Sequence, residues 1–263
     1  MTSGPDEQRP RAYVGRFAPS PTGPLHFGSL IAALASYVDA RAAGGSWLLR
    51  IEDVDRERSR LEHEAAIRRQ LAAFALEHDG DVVRQSERID HYRSALERLR
   101  DQGSVYPCVC SRRLLETAPR NQEGEVIYPG SCRVRAVDTF GGRHSIRFKL
   151  AHSPPQDEVI EDRIEGVITQ NVAKDVGDFV LLRADGDVAY QLAVVVDDEL
   201  QGVTDVVRGA DLLLNTPRQR ILQRALGFRD LRYAHVPIVT NDQGEKLSKQ
   251  TRAIALPTDH NSV

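Results

Sequence analysis

Between Tyr13 and Ile51 the chain runs through a strand, a stretch that can be neither strand nor helix, an amphipathic helix and a second strand, and few folds accept that order. Tyr13-Val14-Gly15-Arg16-Phe17 reads as a short buried strand. The next seven residues, Ala18-Pro19-Ser20-Pro21-Thr22-Gly23-Pro24, hold three prolines and a glycine and must form a stiff loop. From Gly28 to Ala43 the apolar positions Leu30, Ile31, Leu34, Tyr37 and Val38 recur at three- and four-residue steps, which predicts an amphipathic helix ended by Gly44-Gly45. Trp47-Leu48-Leu49-Arg50-Ile51 then reads as a strand. A strand, crossover helix and strand of this length close as a parallel pair with a right-handed connection, so an α/β fold is expected. Ligands of such sheets bind beyond the C-terminal strand ends, where a helix N-terminus offers N–H groups to an anion. His26 and Gly28 fall at that point.

Two further helices are expected over 59–76 and 87–102, with Ser86 as N-cap of the second and Gly103 just past its end. From Val105 the pattern changes to cysteines and short strands, at 145–150 and 178–183, with a turn at Asp185-Gly186-Asp187. The apolar run Ala189–Val196, bounded by Asp197-Asp198, suits a central strand, and 216–226 a helix capped by Asn215. The expected organisation is a catalytic domain split between 12–103 and 189–226, an insertion at 104–188, and a loop region at 227–263. With 263 residues, 41% of them hydrophobic, the chain is long enough for one or two domains with a real core. It has no apolar stretch near membrane-spanning length and no apolar leader segment, so a cytoplasmic protein with no membrane partner is expected. A net charge of −3 gives no broad positive field, so any RNA contact must be local; Arg112, Arg113, Arg133 and Arg135 are the nearest thing to a basic patch.

Two small clusters carry chemistry besides the Pro-rich loop. Of the 35 basic residues 31 are arginine, yet two of the four lysines fall in Lys246-Leu247-Ser248-Lys249, after the polar turn Asn241-Asp242-Gln243-Gly244. Two ammoniums three residues apart can both reach the charge that develops on a triphosphate under attack. The loop at His26 is neither a P-loop nor a dinucleotide fingerprint. The three cysteines, Cys108, Cys110 and Cys132, share a 25-residue window, which points to a metal and not to a disulfide framework. Zinc needs a fourth ligand, and Tyr128 and His144 both lie near.

Pro24-Leu25-His26-Phe27-Gly28-Ser29 resembles the HIGH motif, and Lys246 to Gln250 the KMSKS motif, of class I aminoacyl-tRNA synthetases. Arg16-Phe17-Ala18-Pro19-Ser20-Pro21-Thr22-Gly23 resembles the glutamyl and glutaminyl subgroup, as do Arg50-Ile51-Glu52-Asp53, the run Tyr190 to Asp198, and Val207-Arg208-Gly209-Ala210-Asp211-Leu212. The resemblance spans Tyr13 to Gln250. Ser29 replaces the motif's second histidine and Leu247 its methionine. After Gln250 only thirteen residues remain, too few for an anticodon-binding domain. In this the chain is similar to the truncated branch that places glutamate on the queuosine base in the anticodon of tRNA(Asp).

The resemblance implies a Rossmann-like parallel sheet with a zinc-containing α+β insertion, working as a monomer on ATP, with Mg²⁺, on L-glutamate and on queuosine-containing tRNA(Asp). It implies glutamate binding by Arg16, Phe17, Ala18, Pro19, Ser20, Glu52, Tyr190 and Arg208. ATP is assigned to His26, Gly28, Ser29 and Lys249, catalysis to His26, Lys246 and Lys249, and one structural zinc ion to Cys108, Cys110, Tyr128 and Cys132. Residue chemistry agrees: guanidinium forks suit carboxylates, Glu52 suits an ammonium, and the Tyr190 hydroxyl suits a carboxylate. Two competing expectations are a truncated enzyme that charges a tRNA 3′ end and a catalytically idle RNA-binding relative.

Overall fold

The computed structural model describes residues 12–111, 113–134, 143–150, 157–239 and 256. Strand β1 (Val14–Phe17) pairs in parallel with β2 (Ser46–Ile51), Val14 opposite Ser46 and Phe17 opposite Leu49, and helix α1 (Phe27–Ala42) makes the crossover between them. Gly44 ends the helix in the left-handed region, at φ 64°. The next residue must also be glycine, because a Cβ on Gly45 would collide with the Tyr13 carbonyl. Trp47 is fully buried between the helix and β1: its ring stacks on Phe17, meets Tyr37 edge-on at 5.2 Å, and its indole N–H donates to Ser36 Oγ at 2.9 Å. Strand β3 (Val83–Arg84) extends this sheet beyond β2, after helix α2 (Leu61–Ala73).

Helix α3 (Ile89–Asp101) leads to a small antiparallel sheet of β4 (Val105–Cys108), β5 (Ser145–Phe148) and β8 (Val180–Leu182). Between β5 and β8 lie the hairpin of β6 (Glu158–Asp162) and β7 (Gly166–Gln170) and the short α4 (Val172–Asp175). That hairpin, inside the stretch expected as an insertion, joins a second sheet in the order β7-β6-β10-β9, with β9 (Asp205–Gly209) and β10 (Arg232–Val236) parallel. Thr204 ties β9 to β1: its amide donates to the Val14 carbonyl and its Oγ1 accepts from the Val14 amide, both at 2.9 Å. The parallel strands therefore present their C-terminal ends to one crevice.

The apolar run expected as a central strand is instead helix α5 (Tyr190–Leu200). Its valines favour a strand by propensity, but Leu192 to Val196 are at most 3% exposed, and a helix enclosed on all sides is apolar all round and loses its amphipathic period. Helix α6 (Thr216–Ala225) packs on it. Two expected caps also act elsewhere. Ser86 sits in a 3₁₀ turn, where its amide and Oγ donate to Asp53 at 2.8 and 2.6 Å, and α3 begins after Arg88. Asn215 occupies the N-cap position of α6, but its Oδ1 accepts from Gln191. Among the described residues no helix is long and apolar enough to cross a membrane.

Candidate active site

A cleft of about 270 Å³ opens where β1, β2, α1, α5, β9 and β10 meet. It is lined by Arg16, Phe17, Ala18, Pro19, Ser20, Glu52, Tyr190 and Arg208, all eight residues expected to hold glutamate, and by His26, Gly28 and Ser29 from the expected ATP site. Lys246 and Lys249 lie outside the described residues. The Pro-rich loop keeps its path through the Glu52 amide, which donates to the Pro19 carbonyl at 3.0 Å and fixes the loop against the end of β2. His26 is the N-cap of α1. Its Nδ1 accepts from the Ser29 amide at 3.3 Å, which places the proton of the neutral ring on Nε2, at the positive end of the helix dipole.

Below the loop, Asp198 from α5 binds two arginines. Arg16 Nε donates to it at 3.1 Å and Arg50 Nη2 at 2.8 Å. Burial would raise the Asp198 carboxyl, but these two guanidiniums hold it below the usual carboxylate range. Glu52 is buried beside them: it forms an ion pair with Arg50, whose Nη2 stands 3.5 Å from its Oε1, but that oxygen accepts no hydrogen bond. Burial pushes its carboxyl up to about 7, against the pull of Arg50 and Arg16. An acceptor left bare in a cleft is suited to a ligand that brings a donor and a positive charge.

On the opposite wall, Arg208 donates through Nη2 to Thr216 Oγ1 at 2.8 Å and the Leu212 carbonyl at 3.2 Å, and through Nη1 to the Tyr190 hydroxyl at 3.3 Å. Its Nε donates to His235 Nε2 at 3.0 Å, and His235 Nδ1 lies 2.6 Å from Asp162 Oδ2. Burial, with Arg208 adding to it, brings the His235 ring down to about 4, so it is neutral and able to accept. Sequence reasoning gave Asp198, Thr216, His235 and Asp162 no role. Asp198 stood in a motif already quoted, but as the acidic edge of a supposed strand; nothing local marks the other three.

A second cluster sits at the end of β4. The sulfurs of Cys108, Cys110 and Cys132 all lie within 4.8 Å of one another. The Tyr128 hydroxyl stands 3.3 Å from Cys108 Sγ and 3.7 Å from Cys110 Sγ, whereas His144 is not among the groups that converge there. Three thiols and a phenol drawn to one point are a donor set that a tetrahedral metal would accept. Arg147 stacks over the Tyr128 ring at 3.7 Å and donates to Cys108 Sγ at 3.2 Å; its positive charge offsets that of thiolates. Of the basic patch read from the sequence, Arg133 is turned inward to Asp178 and the Leu150 carbonyl, and Arg112 and Arg135 lie outside the described residues.

Parallel strands with a helix N-terminus and a cleft at their C-terminal ends are the architecture of the class I tRNA synthetase catalytic domain, and the family comparison assigns the chain to that class. Residues 13–260 match the family model for tRNA synthetases class I (E and Q), catalytic domain. Glutamyl-Q tRNA(Asp) synthetase of Thiobacillus denitrificans is 57% identical over 249 residues, covering 94% of this chain and 81% of that one. The protein of the same name from Dechloromonas aromatica is 52% identical over 249 residues, with the same coverage of 94% and 81%. The chain belongs to this glutamyl-Q branch and is a ligase of the aminoacyl-tRNA synthetase type. A solved glutamate tRNA ligase from Elizabethkingia meningosepticum, in complex with its amino acid, superposes with a TM-score of 0.78 at 28% identity over 91% of this chain. The chain spans about half of that ligase, 52% of its length.

Proposed function

We propose that the chain activates L-glutamate with ATP and passes the glutamyl group to the queuosine base in the anticodon of tRNA(Asp). The reading is carried by one observation: Arg16, Arg208, Tyr190 and Glu52, whose Oε1 accepts no hydrogen bond, line the same cleft as the N-terminus of α1. Glutamate brings two carboxylates and an ammonium; the guanidiniums and the Tyr190 hydroxyl bind the former, Glu52 the latter. The names of the relatives and of the solved ligase support the same amino acid.

In the first step the α-carboxylate attacks the α-phosphorus of ATP in line. The bond to the bridging oxygen breaks and pyrophosphate leaves. Positioning and preorganised charge carry such a transfer, since no covalent bond to the protein is needed. His26 Nε2–H, Lys246 and Lys249 donate to the phosphoryl oxygens as charge builds, and Gly28 and Ser29 give the nucleotide close access to the backbone. Mg²⁺, bound with ATP, supplies further charge neutralisation. In the second step a hydroxyl of the queuosine cyclopentenediol attacks the mixed anhydride, leaving an ester on the base and releasing AMP. Cys108, Cys110, Tyr128 and Cys132 would hold one zinc ion, which would brace the small sheet. We place the reaction in the cytoplasm, with its ATP and tRNA substrates.

Glutamate-dependent ATP–pyrophosphate exchange without tRNA tests the first step, and its absence in folded protein removes the activation claim. Glutamate labelling of tRNA(Asp) with and without queuosine tests the second. Equal labelling of both tRNAs would point to the 3′ end instead.

A further inference from the structure

We propose that His235 and Asp162 form a positioning relay for Arg208, in which Asp162 locks the His235 ring as its Nδ1-protonated tautomer and the ring's Nε2 then fixes the guanidinium that faces the amino acid. The proposal deepens the glutamate reading given above and rests on it.

Arg208 is always charged and carries five N–H donors in one plane. Its Nε–H is turned into the protein, against the fully buried His235, and a missing acceptor there leaves a desolvated donor. Among the described residues its one partner is His235 Nε2, at 3.0 Å, and His235 is 0% exposed. That nitrogen accepts only while it holds no proton, so the ring's single hydrogen must sit on Nδ1. Asp162 enforces this. Its Oδ1 takes the backbone amides of Ile164 at 3.0 Å, Glu165 at 2.9 Å and His235 itself at 3.1 Å, which leaves Oδ2, 2.6 Å from Nδ1, as an acceptor. The relay crosses the β-sheet: Asp162 ends β6, His235 lies in β10 and Arg208 in β9. Two Nη2 bonds, to Thr216 and Leu212, complete the clamp and turn Nη1 to the Tyr190 hydroxyl at the cleft wall.

Asp162→Asn separates this role from plain packing. The three amides demand a carbonyl oxygen at the Oδ1 position, so the side-chain NH₂ must face His235 Nδ1 and donate to it. The ring proton then moves to Nε2 and confronts the Arg208 N–H. The substitution is isosteric, yet it is expected to raise the glutamate KM in pyrophosphate exchange by about tenfold or more while the ATP KM stays within about twofold. Nitrogen NMR of the ring should show the proton on Nδ1 in the wild type and on Nε2 in D162N. His235→Leu, which has no acceptor, should raise the glutamate KM likewise, and His235→Gln, whose Oε1 reaches the place of Nε2, should restore most of it.

An unchanged glutamate KM in D162N, equal KM values in H235Q and H235L, or a wild-type ring protonated on Nε2 overturns the relay. If D162N does not fold, the two His235 variants and the wild-type spectrum decide. Wild-type protein that exchanges no pyrophosphate with glutamate would sink the activation reading alone, and the ring spectrum would then decide the relay.

Discussion

Glu52 is a carboxyl that burial works against. Its folded value of about 7 lies above the 4.5 of an ordinary glutamate, so the folded protein holds a proton there that the unfolded chain releases. The stability this group contributes is therefore fully present below about pH 4.5 and is lost as pH rises through about 7. Glu52→Gln should flatten that fall, which melting temperatures of both proteins between pH 4.5 and 8 would show. The same carboxyl must be ionised to receive an ammonium. The glutamate KM of the wild type should then drop by about tenfold per unit as pH rises toward 7 and level off above it, and E52Q should bind weakly at every pH. At this scale the sequence was most readable inside the motifs that resemble the family: Arg16, Tyr190 and Arg208 were singled out there, their side chains suit a carboxylate, and all three line the cleft. His235 and Asp162 act through another side chain and meet across 73 positions, and no local pattern announces that.

Among the elements, the α1 crossover was legible because proline, glycine and a 3.6-residue period agree, and Gly44-Gly45 marked its end. Gly45→Ala forces the Tyr13 carbonyl away from the start of β2 and is expected to cost about 2 kcal/mol or more, read from the urea midpoint. Helix α5 was illegible for the opposite reason. Full burial erased its polar face, and its terminal acids are spent on arginines: Asp197 accepts from Arg88 at 2.7 Å, Asp198 from Arg16 and Arg50. The cysteine cluster was visible as spacing, but not that the Tyr128 hydroxyl, and not His144, stands beside the sulfurs. Because Cys108 ends β4, which pairs with β5, a zinc ion held as proposed would brace both strands, and a chelator should then speed amide exchange in β4 and β5 while β1 and β2 stay protected, as mass-resolved hydrogen exchange would show. Unchanged exchange in β4 would mean that no metal braces it.

For the whole molecule, two buried carboxylates set the acid limit. Backbone amides and His235 hold Asp162 at about 2 against burial, which would raise it, and Arg16 and Arg50 keep Asp198 below its usual range in the same way. Such groups contribute stability above their unfolded value, near 3.8, and lose it as pH falls through the folded one. Cooperative acid unfolding is therefore expected as pH drops from about 4 toward 2, with far-ultraviolet dichroism as its measure. Asp198→Asn removes the carboxylate that two buried guanidiniums share, leaving Arg50 only the longer contact to Glu52, and should cost about 3–5 kcal/mol.

The bond between Arg16 and Asp198 joins positions 182 residues apart. A nascent chain emerging from the ribosome carries the arginine early and must wait for most of its synthesis before the aspartate exists. Until then the arginine lacks the group that aims it, so an unfinished polypeptide should be blind to the amino acid and spend no ATP. Ribosome-stalled chains should retain glutamate only once α5, β9 and β10 have all emerged, because Arg208 and His235 follow Asp198 in the chain.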